Sequence, residues 1–218
     1  MRNEIIRLIE KEKLIVIVRG IETEKLIPLA EAMYAGGVRL LEITYDATGK
    51  RSDEETAEQI ALLVNHFAGR MCIGAGTVLT EKQVILTKNA GGLFIISPDT
   101  NPHVIAKTKA CDMVSIPGAF TPTEAQMAHR SGADFVKLFP MDSLGADYLK
   151  AIKAPLSHIR FLAVGGINEM NMPSYQKAGA CGFGVGSNII SKKLLADEDY
   201  PALQKLAQRY VFVLKDMG

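Results

Sequence analysis

The sequence predicts a single-domain α/β protein folded as a (β/α)8 TIM barrel, and three features lead to this prediction. Eight short runs rich in apolar and β-branched residues recur along the 218 residues, at 14–18, 38–44, 71–75, 93–97, 113–116, 134–139, 160–164 and 182–185. Segments of helical periodicity lie between them, among them 24–34, 53–67, 81–89 and 122–130. Several helices are followed by a glycine that can end them in the left-handed conformation, as at Gly37, Gly91, Gly132 and Gly179.

Strands that alternate with helices and are apolar throughout indicate a parallel sheet. Eight such units favour a closed barrel over an open doubly wound sheet, whose first turn would carry a GxGxxG pattern that is missing here.

Composition narrows the class of protein. With 48% hydrophobic residues, 22% charged residues and a net charge of +1, the chain can bury a large core but carries no strong overall field. This argues against nucleic acid or an anionic membrane as the main partner. The three cysteines, Cys72, Cys111 and Cys181, form no CxxC pair and are typical of a reduced, cytoplasmic protein. The N-terminus lacks a signal-peptide pattern, and no run approaches the roughly 20 apolar residues of a membrane helix. We therefore expect one cytoplasmic barrel domain over residues 1–218, with an N-terminal helix.

A lysine lies within the sixth apolar run, Phe135-Val136-Lys137-Leu138-Phe139-Pro140. Period-2 alternation places Phe135, Lys137 and Phe139 on one face of this strand. Burial disfavours the charged ammonium and lowers its pKa, which leaves a neutral amine able to attack a carbonyl and form a Schiff base. A barrel-lining lysine paired with an inward carboxylate explains this stretch equally well.

The second run supplies that carboxylate. Alternation places Leu40, Glu42 and Thr44 on one face, so Glu42 and Lys137 are both expected to point into the barrel mouth. Burial raises the pKa of a carboxyl while a nearby ammonium lowers it, and Glu42 could therefore move protons at neutral pH. A purely structural ion pair with Lys137 is the less favoured alternative, because buried pairs contribute little net stability.

The last two runs end in glycines that suit an anion. The seventh run ends in Val164-Gly165-Gly166-Ile167-Asn168, with a helix expected from Glu169 onward, and the eighth ends in Gly184-Val185-Gly186-Ser187-Asn188. Glycines let backbone N–H groups approach a ligand, and the loops after strands 7 and 8 are the usual phosphate site of this fold. Tight turns without a ligand remain an alternative. A phosphorylated substrate is the favoured hypothesis.

Seven stretches together resemble the 2-keto-3-deoxy-6-phosphogluconate (KDPG) aldolase family, which includes 4-hydroxy-2-oxoglutarate (KHG) aldolases and a 6-phosphogalactonate branch. They are IVRGI (17–21), GGVRLLEIT (36–44), GAGTVL (74–79), ISP (96–98), IPG (116–118), VKLFP (136–140) and GGI (165–167). The resemblance implies a (β/α)8 barrel, usually trimeric, that acts as a class I aldolase with no metal or other cofactor. It places the Schiff-base lysine at Lys137 and the general acid/base at Glu42.

The same resemblance implies a set of substrate-binding residues. Thr77 and Pro98, the latter through its carbonyl oxygen, match positions that hold the pyruvate part, and Arg19 matches a substrate-binding arginine of some branches. The set is completed by Phe139 beside the lysine and by the phosphate-site residues Gly165, Gly166, Gly186 and Ser187.

One position departs from the family pattern. Phosphogluconate-type members often carry an arginine four residues after the glutamate, where this chain has Asp46. An acid there would repel a carboxylate or phosphate, so either Arg19 takes over that charge or Asp46 turns away. Lys50 and Arg51, on the same loop, could also substitute.

The resemblance implies cleavage of 2-keto-3-deoxy-6-phosphogluconate to pyruvate and glyceraldehyde 3-phosphate, with 4-hydroxy-2-oxoglutarate as a further substrate. The 6-phosphogalactonate epimer is an alternative substrate. A sugar-phosphate isomerase or epimerase without a covalent intermediate, and a non-catalytic sugar-phosphate-binding protein, remain open. No metal site is expected, because His66, His103, His129 and His158 are scattered and do not pair at ligand spacing.

Overall fold

A computed structural model describes residues 1–217, and its strands form one parallel sheet curled into a nearly closed barrel. The strands are β1 (Leu14–Val18), β2 (Leu40–Thr44), β3 (Cys72–Gly76), β4 (Phe94–Ile96), β5 (Val114–Ile116), β6 (Gly118–Ala119), β7 (Val136–Leu138), β8 (Phe161–Val164) and β9 (Gly182–Val185). Their order is β5-β4-β3-β2-β1-β9-β8-β7-β6. The predicted (β/α)8 barrel is confirmed, and residue 218 of the predicted domain lies outside the described residues.

A short strand that was not predicted, β6, follows the fifth predicted strand and raises the strand number from eight to nine. Pro117 separates β5, which pairs with β4, from β6, which pairs with β7. A proline has no N–H to continue a ladder, so the pairing changes partner at this residue. The wall still continues across the break, because the backbone N–H of Lys137 donates to the Pro117 carbonyl at 2.9 Å.

Helices cover the outside of the barrel. They are α1 (Arg2–Glu12), α2 (Thr23–Ala35), α3 (Asp53–Phe67), α4 (Glu81–Asn89), α5 (Pro102–Ala110), α6 (Pro122–Arg130), α7 (Gly145–Lys153), α8 (Met172–Lys177), α9 (Lys192–Ala196) and α10 (Tyr200–Asp216). Gly37, Gly91, Gly132 and Gly179 have positive φ, as predicted. The expected start of a helix at Glu169 is wrong: the Asn168 side chain accepts hydrogen bonds from the N–H groups of Met170 and Asn171 (2.9 and 3.0 Å) and holds a turn before α8 begins.

Apolar side chains form two layers on either side of the sheet. The inner layer fills the barrel and includes Ile15, Leu40, Phe94 and Phe135, while a larger layer separates the sheet from the helices. Ile9 of α1 packs onto the inner layer and closes the N-terminal end of the barrel. Because Leu40 and Phe135 face inward, the alternation that predicted inward-facing Glu42 and Lys137 is confirmed.

Asp134, just before β7, forms hydrogen bonds that connect several elements at this N-terminal end of the barrel. Its carboxylate accepts hydrogen bonds from the side chains of Arg2 (3.2 Å) and Lys109 (2.7 Å) and from the backbone N–H of Ser115 (3.0 Å). These contacts join α1, α5 and β5 at one buried point, on the far side of the barrel from the strand ends that carry Glu42 and Lys137. Within residues 1–217, no helix combines the length and the apolar character needed to cross a membrane.

Candidate active site

A cavity of about 390 Å³ opens at the C-terminal ends of the strands. All ten residues that the sequence singled out line it. They are Arg19, Glu42, Thr77, Pro98, Lys137, Phe139, Gly165, Gly166, Gly186 and Ser187. A larger cavity of about 470 Å³ lies between α1 and α10 at the opposite end of the barrel and contains none of these residues, so the chemistry belongs to the smaller one.

Lys137 is buried in the wall of this cavity. Its side chain projects from β7, it is only 6% exposed, and its Nζ lies 4.6 Å from the centre of the Phe139 ring. Burial lowers the pKa of the amine, the Glu42 carboxyl partly opposes this, and the Arg19 guanidinium lowers the pKa further. The result is a lysine with a raised fraction of the uncharged, nucleophilic form near neutral pH.

Glu42 is buried even more deeply, at 1% exposure, on β2. Burial raises the pKa of its carboxyl, and the positive charges of Lys137 and Arg19 act in the opposite direction. Its Oε2 atom has no hydrogen-bond partner. Among the described residues Glu42 forms no direct ion pair with Lys137, so the purely structural pair considered from the sequence is absent. A buried carboxyl oxygen without a partner costs stability unless something else bonds to it.

Arg19 provides the positive charge on one side of the cavity, and Thr77 lies next to it. The Arg19 guanidinium donates to Thr77 Oγ1 at 3.3 Å. Thr77 follows β3 with a φ of 54°, a left-handed conformation that a β-branched residue adopts only under strain. This backbone places the threonine hydroxyl beside the guanidinium at the rim of the cavity.

The Pro98 carbonyl packs closely against Gly118 of β6. A Cβ on Gly118 would overlap the carbonyl oxygen of Pro98 and would come within 2.9 Å of that of Ser97. The Gly118 N–H donates to the Asp99 carbonyl at 3.1 Å, and Thr100 Oγ1 donates to the Gly118 carbonyl at 2.7 Å. The loop after β4 can dock this closely only because residue 118 has no side chain.

Glycine-rich loops form the opposite side. Gly165 and Gly166 have φ values of 97° and 69°, a region that favours glycine. Asn188 Nδ2 donates to the Ile167 carbonyl at 2.8 Å and links the loop after β9 to the loop after β8. The sequence placed Asn188 at the end of the eighth run but did not assign it a role, although its position two residues after Gly186 was a usable signal. Other residues of the two glycine-rich endings, Val164, Ile167, Gly184 and Val185, also line the cavity without an assigned role, as does Ile17.

Comparison with known proteins identifies the family. A family model described as KDPG and KHG aldolase matches residues 5–206.

The chain belongs to the KDPG and KHG aldolase family. Its members are carbon–carbon lyases, and this chain is therefore an aldolase. It is 37% identical to a probable 2-dehydro-3-deoxy-6-phosphogalactonate aldolase of Rhizobium meliloti over 186 residues, 85% of each chain. It is 32% identical to a 2-dehydro-3-deoxy-phosphogluconate aldolase of Treponema pallidum, over 92% of this chain and 93% of that one. A solved KDPG aldolase of Legionella pneumophila, with pyruvate captured as a covalent carbinolamine, matches with a TM-score of 0.81 and 27% identity, over 93% and 96% of the two chains.

Asp46 of this aldolase turns away from the cavity. Its carboxylate accepts hydrogen bonds from the N–H and Oγ1 of Thr48 (2.8 and 2.7 Å) and from the N–H of Arg51 (3.0 Å). These bonds lower the pKa of Asp46 to about 2. The Arg51 guanidinium donates to Gln59 and to the Ile21 carbonyl, so it does not take the place of the missing arginine. Among the possibilities considered from the sequence, the structure supports the one in which Asp46 turns toward its own loop.

The histidines of the aldolase lie away from the cavity. Two that are distant in sequence, His129 and His158, meet edge to face with ring centres 4.7 Å apart, so they are less scattered than the sequence suggested. Residues 1–217 contain no group of three or more His, Cys, Asp and Glu side chains arranged to hold a metal ion.

Proposed function

We propose that this aldolase cleaves 2-keto-3-deoxy-6-phosphogluconate to pyruvate and glyceraldehyde 3-phosphate through an imine on Lys137. One observation carries the proposal. A buried amine whose pKa is lowered and a buried carboxyl whose pKa is raised line the same cavity. These shifts favour a neutral nucleophile and a protonated acid before substrate binds, which are the forms that imine formation requires.

The forward chemistry follows from these two forms. The neutral Lys137 amine attacks the C2 ketone, and an internal proton transfer gives the carbinolamine. Glu42 then protonates the departing hydroxyl, which leaves as water, and a protonated imine remains. The resulting Glu42 carboxylate takes the proton of the C4 hydroxyl, directly or through one water.

Cleavage uses the imine as the electron acceptor. As the C4 hydroxyl loses its proton, the C3–C4 bond breaks and its electron pair forms the enamine, which frees the aldehyde. Glu42 returns its proton to C3 and regenerates an imine, now of pyruvate. Water adds to C2 while Glu42 takes one of its protons, and collapse of the carbinolamine releases pyruvate and the neutral amine. Because the imine accepts the electrons, the proposed reaction requires no metal, and chelators should not inhibit it.

The remaining cavity residues bind the two ends of the substrate. Arg19, which donates a hydrogen bond to Thr77, supplies positive charge for the carboxylate. The Pro98 carbonyl accepts a hydrogen bond from the hydroxyl of the carbinolamine that forms on Lys137. Gly165, Gly166, Gly186 and Ser187 receive the phosphate at the loops after β8 and β9, where exposed backbone N–H groups suit an anion. Phe139 packs beside the amine and keeps it apolar on that side.

The 6-phosphogalactonate epimer is the second candidate substrate, and two observations favour it. The loop arginine common in phosphogluconate-type members is replaced here by Asp46, which faces its own loop, and the Rhizobium relative carries a phosphogalactonate name. Cleavage of 4-hydroxy-2-oxoglutarate and assembly as a homotrimer are further proposals, which light scattering and activity measurements address.

Reductive trapping tests the proposal most directly. Borohydride added with pyruvate should inactivate the enzyme and add one reduced pyruvate to the peptide containing Lys137, as seen by mass spectrometry. Lys137→Met should remove both activity and labelling. An isomerase or a non-catalytic binding protein would show no labelling, and that result would refute the proposal. Lactate-dehydrogenase-coupled assays on both epimers, with and without phosphate, then assign the substrate.

A further inference from the structure

The inward face of β3 consists of small residues, Cys72, Gly74 and Gly76, beside the strand that carries Glu42. Glu42 pairs in register with Gly74, yet its side chain extends further along the barrel. A Cβ built on Gly76 would overlap Glu42 Oε1 and would lie 2.7 Å from its Cγ. The carboxyl group therefore occupies the space that a side chain at residue 76 would fill.

The carboxyl has little other space within the wall. The position beneath it, over Gly74, is filled by the Phe94 ring, whose Cγ would lie 2.5 Å from a Cβ there. On its other side Glu42 pairs in register with Ile17 of β1. With 1% of its surface exposed, Glu42 can move only toward the cavity. A methyl group at residue 76 would thus shift the carboxyl toward the substrate space instead of back into the wall.

From these contacts we propose that Gly76 is a positioning residue: by lacking a side chain it sets where the Glu42 carboxyl stands for proton transfer. The inference rests on the proposed role of Glu42. The backbone of Gly76 does not itself require glycine, because its φ is not positive, so alanine is tolerated by the main chain and acts through the space it fills.

The variant Gly76→Ala should affect proton transfer more than binding. Because general acid–base catalysis contributes 10²–10⁴-fold, we expect kcat for cleavage to fall by about 100-fold. Exchange of the pyruvate methyl protons with deuterated solvent, followed by NMR, should fall in parallel, because it needs the same proton transfer to C3. KM should change by less than about threefold. The pH profile of kcat should also shift, since the carboxyl leaves its buried position.

A matched control separates positioning from general damage. A Cβ on Gly36 would lie 2.5 Å from Ala207 Cβ, in the contact between α2 and α10, far from the cavity. Gly36→Ala thus introduces a comparable steric conflict and should lower stability while leaving kcat, proton exchange and the pH profile unchanged. If Gly36→Ala reproduces the kinetic losses of Gly76→Ala, the inference is overturned.

Rescue by a shorter acid gives a second readout. Glu42→Asp withdraws the carboxyl by one methylene and makes room for a methyl at residue 76. The double variant should therefore be more active than the product of the two single effects, whereas independent effects multiply to within about twofold. Multiplicative losses, or a Gly76→Ala enzyme with native exchange and pH profile, would refute the positioning role. Absence of trapping at Lys137 in the native enzyme would instead refute the proposed function.

Discussion

Replacing Glu42 with methionine is expected to stabilise the fold while abolishing activity. The native carboxyl is almost fully buried and its Oε2 has no hydrogen-bond partner. Leaving such a group unsatisfied costs about 1–3 kcal/mol, and methionine removes this cost at similar length and volume. For a chain of this size each kcal/mol raises Tm by about 2–4 °C, so the gain should be about 2–12 °C.

The increase in stability caused by Glu42→Met should grow with pH. Burial raises the pKa of Glu42 above its ordinary value of 4.5, so the folded protein binds the proton more tightly than the unfolded chain. The stability linked to this proton is present below pH 4.5 and is lost as the pH rises through the folded-state pKa. The advantage of methionine should therefore be smallest below pH 4.5 and should grow toward pH 8.

Urea unfolding of both proteins at several pH values measures this effect. Glu58→Met, the same substitution at an exposed site on α3, should change the free energy of unfolding by less than about 0.5 kcal/mol. This prediction would be refuted by a Glu42→Met protein that is less stable than the native one at pH 8. It would also be refuted if the difference in free energy of unfolding did not increase with pH, because the buried carboxyl would then not destabilise the fold.

Three further outcomes are expected. Gly118→Ala should displace the Pro98 carbonyl and remove its hydrogen bond to the carbinolamine formed from pyruvate. The KM for pyruvate in proton exchange should rise by about 3- to 10-fold, the worth of one hydrogen bond. An unchanged KM would contradict that role for the carbonyl. Asp134→Ala should lower the free energy of unfolding by roughly 1.5–3 kcal/mol, because charged hydrogen bonds are lost, and should leave kcat/KM unchanged. Denaturant titration and activity assays measure the two quantities. A loss of kcat/KM would contradict the expectation and would show that the two ends of the barrel are coupled. A thiol reagent at pH 8 should modify half-buried Cys111 and spare Cys72, since burial raises the pKa of the latter to about 12; rapid labelling of Cys72 would indicate that the barrel opens.

Local patterns predicted the parts of the site that local rules govern. Period-2 alternation in two apolar runs was sufficient to place Glu42 and Lys137 on inward faces, because a strand has only two faces. The start of α4 is also set locally, because Thr80 and Gln83 form reciprocal hydrogen bonds within four residues of the chain.

Features that depend on distant contacts were not predictable in this way. The change of strand partner at Pro117 depends on which strands flank it, and the start of α8 depends on the bonds of the Asn168 side chain. The orientation of Asp46 could not be predicted, because the sequence does not show whether its carboxylate bonds to its own loop or points into the cavity. The need for glycine at residue 76 arises from a carboxyl on another strand.

The seal that α1 forms at the base of the barrel bears on the kinetic order of the proposed reaction. Ile9 packs onto the inner layer there, and Ile5, Ile6 and Leu8 pack around it. Because this end of the barrel is closed, substrates enter and products leave only at the C-terminal ends of the strands. In the proposed reaction the keto-acid fragment, covalently bound to Lys137, lies deeper in the cavity than the fragment whose phosphate is bound by the loops at the rim. In the synthetic direction of the proposed reaction, pyruvate should therefore bind before the aldehyde. An unreactive analogue of the aldehyde should then inhibit uncompetitively with respect to pyruvate.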